Sequence, residues 1–324
     1  AKIVEVLKGG ESRRTPPCPY ADRCGGCNWQ QISETEQLHQ KDLLLRETFA
    51  KFLPGRSIPF EPFVPSPRSL RYRNRVQPRM KNGRLGYYRR KSHEFLPVND
   101  CLITEEELAA FFQNPPKANI DHEARVELRL SQDGIPQWSI QGQEEVEGFS
   151  FSQVNRFQNQ DLIDTVLRWS SARDFSEVWD LYCGGGNFTF PLASKYPHAI
   201  LTGVELDSQL VTHARNKAKS GKNMNFHSSD VGAWLRRRSP RKNSLVVLDP
   251  PRAGAGGEVM RALATSETSE IIYIACHPVG LARDLATFFE HAPPSWVLSK
   301  VQGFEMFPQT DHMETVVHLK VDSL

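Results

Sequence analysis

The second half of the chain is built from seven short apolar runs, each suited to a buried strand. They are "EVWDLYC" (177–183), "AILTGVELD" (199–207), "MNFHSSD" (224–230), "SLVVLDP" (244–250), "IIYIAC" (271–276), "WVLSKVQGF" (296–304) and "TVVHLKV" (315–321). Helical segments separate most of them, such as "DSQLVTHARNKAKS" (207–220), predicted to end at Gly221. Apolar strands of this kind must be covered on both faces, and helices between successive strands supply that cover. This grammar restricts residues 150–324 to an α/β fold with a mainly parallel, doubly wound seven-stranded sheet. Ligands of such sheets bind outside the carboxyl ends of the strands, so residues found there share one address.

Those strand ends carry chemistry in order. After the first strand, Gly184, Gly185 and Gly186 allow a tight turn along which a ligand can lie close to the backbone. Thr189 stands where a dinucleotide fingerprint needs its last glycine, which disfavours a pyrophosphate. Glu205 ends the second strand 21 residues after Gly184, where an acid can hold two ribose hydroxyls. Asp230 ends the third, in position for an adenine amino group. A nucleoside without phosphates fits this set better than NAD does, which points to S-adenosylmethionine. Asp249 ends the fourth strand in "LDPPRAG", where two prolines stiffen the loop and fix the direction of Asp249 and Arg252. Cys276 ends the fifth. Most free cysteines are small inert hydrophobes; the sharper reading is a nucleophile beside the sulfonium pocket. Further on, Glu314 and Asp311 have the plain reading of exposed acids.

The first half follows different rules. No apolar run is long enough to span a bilayer and no signal peptide opens the chain, so the expected compartment is the cytoplasm, with no membrane partner. There, Cys18, Cys24 and Cys27 in a C-x5-C-x2-C pattern, with Cys101 far downstream, argue for metal rather than disulfides. Four thiolates suit a structural zinc or a 4Fe–4S cluster, and spacing does not separate the two. The C-x3-C-x2-C spacing of radical S-adenosylmethionine chemistry is absent, so the metal's role is structural or RNA-organising.

Net charge is only +2, so any nucleic-acid role needs a local patch. Residues 68–91 supply one, with eight Arg, two Lys and no acid, interleaved with Tyr72, Tyr87 and Tyr88. The alternation in "RYRNRVQPRM" predicts a strand with one charged face, followed by a turn at Asn82-Gly83 and a second strand. Arg71, Arg73 and Arg75 are the candidates for RNA phosphates, against the plain reading of a solvated strand face. The run "RRRSPRK" (236–242) reads as a surface loop.

The expected organisation is a lone strand within 1–14, a cysteine segment with a helix at 15–67, a small α+β RNA-binding domain at 68–149, and the α/β domain at 150–324. The helix "SETEQLHQKDLLLRETFAKFL" is predicted to be capped at Ser33, with Glu36 three residues on, and a proline-rich connector follows it. The small domain also supplies Cys101.

Seven motifs in one order resemble the S-adenosylmethionine-dependent RNA uracil-5 methyltransferases. They are C-x5-C-G-G-C, "FSQVNRFQN", "DLYCGGGNFTFPLA", "GVELD", "LDPPRAG", "YIACHPVGLARDL" and "FPQTDHMETV", and they run from about Cys18 to the C terminus. The resemblance implies a Rossmann-like class I methyltransferase domain. It implies that Gln153, Tyr182, Asn187, Glu205, Asp230 and Asp249 contact the cofactor, with Gly184 in the turn. It makes Cys276 the nucleophile and Glu314 the base, and assigns a 4Fe–4S cluster, with zinc as the alternative, to Cys18, Cys24, Cys27 and Cys101. Members often carry an N-terminal RNA-gripping β-barrel, and "AKIVEVLK" resembles its last strand. The family usually has Ser-Cys-Asn-Pro where this chain has Ala275-Cys276-His277-Pro278, and commonly Asp where Glu305 stands. The implied partner is RNA, 23S ribosomal RNA ahead of the transfer RNA T-loop, with no obligate protein partner. Rival readings are a cytosine-5 enzyme, which would commonly want a second cysteine beside "DPP", an amino-methyltransferase, which has no use for Cys276 with Glu314, and an inactive metal-bearing RNA-binding protein.

Overall fold

The computed structural model describes residues 5–117, 123–131, 133–141, 153–171, 174–218 and 223–322. All seven expected strands form, as β7 (Glu177–Leu181), β8 (Ile200–Glu205), β9 (Met224–Ser228), β10 (Ser244–Leu248), β11 (Glu270–Ala275), β12 (Trp296–Phe304) and β13 (Glu314–Val321). They make one sheet in the order β12-β13-β11-β10-β7-β8-β9. The five strands from β11 to β9 are mutually parallel, and β13 inserts antiparallel between β11 and β12. The order reverses between β7 and β10, so a crevice opens at their carboxyl ends. Helices α3 (Arg156–Trp169), α4 (Thr189–Lys195), α5 (Ser208–Lys217), α6 (Val231–Leu235), α7 (Gly257–Ala264) and α8 (Pro278–His291) link and cover the strands. The described part of α5 ends at Lys217; Gly221 lies outside the described residues.

The N-terminal half forms a six-stranded antiparallel sheet from β1 (Arg75–Val76), β2 (Arg79–Lys81), β3 (Arg84–Tyr88), β4 (Phe95–Pro97), β5 (Ala124–Leu130) and β6 (Pro136–Ile140). The β2–β3 turn sits where expected, with φ of 50° at Asn82 and 68° at Gly83, the positive pair that a two-residue hairpin demands. The charged strand is shorter than its alternation suggested. Arg71 has φ 52° and breaks the extended path, so that before Arg79 only Arg75–Val76 forms a strand, and Arg73 makes isolated bridges to Thr104 and Asn155. Helix α2 (Glu106–Gln113) packs Leu108 and Phe112 on this sheet. Of "AKIVEVLK", residues 1–4 lie outside the described residues, and residues 5–8 form no strand.

Helix α1 (Glu34–Phe52) begins at the expected Ser33 cap, whose hydroxyl accepts from the Glu36 N–H. Its buried stripe is Gln37, Lys41, Leu45 and Phe49, four-residue steps down one face. Leu45 and Phe49 join one core with Leu281, Leu285 and Phe288 of α8. Above them Lys41 forms a buried ion pair with Glu305 at 3.2 Å, neither side chain more than 4% exposed. Lys41 also donates to the Phe307 carbonyl at 3.3 Å. The proline-rich connector then bridges β12, at Phe60–Val301 and Val64–Phe304, and covers that outer strand. Helix and connector are therefore part of the α/β domain's packing, although they lie within the expected cysteine segment. Among the described residues no helix is long and apolar enough to cross a membrane.

Gly86 marks the tightest point of the small sheet, since a Cβ there would lie 2.1 Å from the Leu96 carbonyl oxygen of β4. Gly86→Ala should therefore lower stability by about 1–3 kcal/mol or more. Urea unfolding followed on the full chain checks this; an unchanged midpoint would mean that β4 yields without cost.

Candidate functional site

The glycine turn after β7 is wound by positive φ at Tyr182 (61°), Gly184 (52°) and Gly186 (91°). This aims the Gly184 N–H at Glu205 Oε2, 3.1 Å away across the strand ends, while Glu205 Oε1 accepts from the Asp207 N–H at 2.9 Å. Glu205 is thus held at the crevice with lone pairs to spare, as a ribose clamp needs. Asp230 caps α6, one oxygen accepting from the Ala233 N–H at 2.8 Å. Tyr182 is half-buried and donates to the Ala255 carbonyl at 3.4 Å, so it walls the crevice against the loop after β10. Asn187 is tied to Asn159 of α3 by a reciprocal pair of amide hydrogen bonds, at 2.9 and 3.0 Å. Gln153 lies half-buried in the residues that lead into α3.

Two acids sit at the reversal point. Asp180, near the end of β7, accepts from the Thr189 hydroxyl, and its other oxygen is buried without a partner. Asp249 follows β10. Burial pushes both carboxyls up to about 7, with the charge of Glu205 adding to the rise at Asp180 and that of Asp180 adding to it at Asp249. Asp180 was missed by the sequence reading, though a charge inside the apolar "EVWDLYC" was its visible sign.

Beside them lie the candidate reacting groups. Ala275 of β11 and Thr315 of β13 form the last pair of the ladder, so Cys276 and Glu314, the next residues outward on the two chains, lie at the same edge and near enough for the charge of one to act on the other. Phe304 flanks Glu314 from β12. Burial first, then the neighbouring Glu314, pushes the Cys276 thiol up to about 11, and Arg252 opposes that rise. Glu314 is 3% exposed, with one carboxyl oxygen buried and unpartnered. Burial and then Asp249 raise its proton affinity well above the ordinary carboxylate range, again opposed by Arg252. His277 takes over the cap of α8, its Nδ1 accepting from the Gly280 N–H at 3.2 Å, a job an asparagine oxygen could also do.

The loop that carries Arg252 is held by a residue the sequence reading passed over. Asp284 of α8 accepts from the Tyr273 hydroxyl at 2.5 Å, the Ala255 N–H at 2.7 Å and the Gly256 N–H at 3.2 Å. Gly254, at φ 89°, has no room for a Cβ, which would meet Asp284 at 2.6 Å.

Cys18, Cys24, Cys27 and Cys101 line one cavity of about 480 Å³, with Tyr20, Gln30, Arg73 and Tyr87 around them. The β3 hairpin holds the loop: the Gly25 N–H donates to the Tyr88 carbonyl at 3.1 Å, and Arg90 donates to the Cys27 carbonyl at 2.7 Å. The Gly26 N–H points at Cys24 Sγ, 3.4 Å away. Among the described residues no three His, Cys, Asp or Glu side chains close on a point as the ligands of a single ion.

The three arginines expected to meet phosphates are engaged within the chain. Arg71 forms a bidentate pair with Asp100, at 2.7 and 2.8 Å, and Arg75 reaches Glu127 at 2.8 Å. Arg73 lines the cysteine cavity and leans on the Tyr72 and Phe307 rings. Arg68 and Arg156, both exposed, stack on Phe157 at 4.2 and 5.1 Å from its centroid, and Arg156 also donates to buried Glu105 at 2.6 Å.

The chain is similar to known proteins in sequence and fold. Residues 239–322 match the family model for tRNA (uracil-5-)-methyltransferases, and residues 178–248 match a methyltransferase domain. An RNA methyltransferase of Bdellovibrio bacteriovorus is 48% identical over 330 residues, covering 100% of this chain and 84% of its own length. A 23S rRNA (uracil(1939)-C(5))-methyltransferase of Vibrio parahaemolyticus is 26% identical, covering 97% of this chain and 84% of its own. The tRNA (uracil-54, C5)-methyltransferase of Pyrococcus abyssi, solved with S-adenosyl-L-homocysteine, superposes with a TM-score of 0.72. It is 19% identical, over 97% of this chain and 88% of its own, and shares the fold.

A thiol held near 11 is mostly protonated at neutral pH, and its thiolate fraction grows tenfold per pH unit. Alkylation of Cys276 by iodoacetamide, read on its own peptide by mass spectrometry, should climb about tenfold per unit from roughly pH 7 to pH 10. A plateau at about pH 8.5 would reveal an ordinary cysteine instead.

Proposed function

The chain belongs to the S-adenosylmethionine-dependent RNA uracil-5 methyltransferases, and from that premise we propose that it methylates one uridine of 23S ribosomal RNA through a covalent adduct on Cys276. The observation that carries the mechanism is the end of the β11–β13 ladder, beyond whose last pair a thiol and a buried carboxyl lie within electrostatic reach of each other. The Vibrio relative, matched over nearly the whole chain, supports the ribosomal target. A cytoplasmic location accompanies that target.

Carbon 5 of uracil is a poor nucleophile. Attack of the Cys276 thiolate on carbon 6 forms an S–C6 bond and moves the ring electrons into an enolate. Bound S-adenosylmethionine would supply the methyl group to carbon 5 as a sulfonium, its S–CH3 bond breaking to leave S-adenosylhomocysteine. Glu314 removes the proton left on carbon 5, the C5–C6 double bond returns, the S–C6 bond breaks, and the thiolate departs. Splitting one hard step in this way is covalent catalysis. The burial that raises the proton affinity of Glu314 also makes its carboxylate a strong base once ionised. Arg252 is the cation whose charge favours both ionised forms. Glu205 and Asp230 would hold the ribose and adenine of the donor, with Tyr182, Gln153 and Asn187 lining its site. The uridine must be turned out of its stack to reach this pocket.

The four cysteines line one cavity, and four thiolates gathered there would suit a 4Fe–4S cluster, with a structural zinc as the alternative. Such a cluster would fasten residues 18–27 to Cys101 beside the β3 hairpin. Arg71, Arg73 and Arg75 serve RNA from behind, by holding the strand in shape, while exposed Arg68 faces it.

RNA carrying 5-fluorouridine at the target should form a stable protein–RNA adduct, because fluorine cannot leave as a proton does. Cys276→Ala should form none and still bind S-adenosylmethionine; an adduct that persists would put the nucleophile elsewhere. Glu314→Gln should slow turnover by about 10²- to 10⁴-fold and accumulate methylated adduct on a denaturing gel. Mapping 5-methyluridine in RNA from cells lacking the protein decides the target, since loss from transfer RNA with intact ribosomal RNA would reverse the assignment.

Protein purified without oxygen should be brown and carry about four iron and four sulfide per chain. Colourless protein with one zinc, handled identically, would replace the cluster by a structural ion.

A further inference from the structure

Glu314 is reached through a loop, residues 305–313, that crosses from β12 to β13 and is tied down along its length. Lys41 holds Glu305 and the Phe307 carbonyl, Asn155 donates to the Met306 carbonyl at 3.3 Å, and Tyr72 donates to the Pro308 carbonyl at 3.0 Å. Gln309 follows, and it is unlike the others. It is fully buried, and its φ of 69° is a conformation that a side-chain-bearing residue rarely keeps without over-determination by its surroundings.

Those surroundings come from three parts of the chain. The Gln309 carbonyl accepts from the N–H groups of Asn28 and Trp29, the residues that follow Cys27, at 3.2 and 3.1 Å. Its side-chain oxygen accepts from Arg14 at 3.0 Å and from Gln37 of α1 at 3.1 Å, and its own N–H donates to Gln37 Oε1 at 2.9 Å. Its amide nitrogen donates to Glu34 and to the Ser69 carbonyl, both at 3.3 Å. Two residues further, the Asp311 N–H donates to the Asn28 side chain at 3.1 Å. The cysteine loop, α1 and the entry to the small domain therefore meet on one residue, five positions before Glu314.

We infer that Gln309 is the positioning residue for Glu314, and that through it the cysteine-rich segment acts on the proton-removal step. The inference rests on the reading of Glu314 as the base. Cys276 is fixed independently, by β11 and the α8 cap, so attack on carbon 6 and methyl transfer do not pass through this junction. Elimination does, because the proton on carbon 5 must lie within hydrogen-bond reach of the carboxylate. A displacement of about 1 Å can cost roughly 10²-fold in rate. The cysteine segment thereby has a catalytic consequence without redox chemistry: it backs the loop that aims the acid.

The test uses two variants of the purified full chain, with Glu314→Gln as reference. Gln309→Ala removes the side-chain junction, and Asn28→Ala removes only the bond to Asp311, leaving the fold least disturbed. Each is compared for S-adenosylmethionine affinity, single-turnover methyl transfer, 5-fluorouridine adduct formation, and release of methylated RNA. The expected result is turnover reduced by about 10²-fold in Gln309→Ala and less in Asn28→Ala. Methylated adduct should accumulate in both, with the first three measurements close to those of the unmutated protein. If Gln309→Ala does not fold, trapping by Asn28→Ala carries the test. A parallel fall in all four measurements, or normal release, would overturn the inference while a trapped adduct in Glu314→Gln upheld the base. Normal release by Glu314→Gln would instead remove the base assignment and this inference with it.

Discussion

The candidate chemistry depends on the antiparallel entry of β13 between β11 and β12. A parallel sheet alone presents the carboxyl end of each strand at the crevice, and β11 delivers Cys276 there. An antiparallel neighbour presents its beginning at the same edge, so Glu314, the first residue of β13, arrives beside the thiol. Register decides which side chain that is. A slip of one residue would put Thr315 or Met313 opposite Cys276 and turn the acid to the other face.

The arrangement carries an electrostatic cost. Asp180, Asp249 and Glu314 gather at the strand ends, and burial with like charge holds all three above the ordinary carboxylate range. Linkage gives the sign for Asp249. Between roughly pH 4, where the unfolded carboxyl titrates, and about 7, where the folded one does, the folded state holds more protons. Stability therefore falls as pH rises through that window and is recovered on acidification. The packing around the site offsets this strain. Asp284 pins the loop after β10, and the buried Lys41–Glu305 pair pins the loop before β13. Breaking such a pair typically costs about 3–5 kcal/mol, because the surviving charge is left uncompensated.

Much of this was legible in the residues. Apolar runs without alternation defined all seven strands of the large sheet, and Asn82-Gly83 marked the hairpin turn. Gly184, Glu205, Asp230, Asp249 and Cys276 fall on the strand ends because such runs stop where polar or glycine residues begin. The arginines were harder to read. A charge pattern reports that Arg71, Arg73 and Arg75 share a strip of sequence, but Asp100 and Glu127, which neutralise two of them, lie 29 and 52 positions away.

The sequence by itself determined which segments must be buried, where the chain must turn, and which side chains reach the end of a strand, because periodicity and turn chemistry are local. Tertiary structure alone decided what those side chains meet. It brought α1 from the cysteine segment into the core of the large sheet, set Asn187 against Asn159, and gathered Arg14, Asn28, Glu34, Gln37 and Ser69 on Gln309. None of these pairings is favoured by spacing, since each closes a loop whose reward comes only when the whole fold is in place.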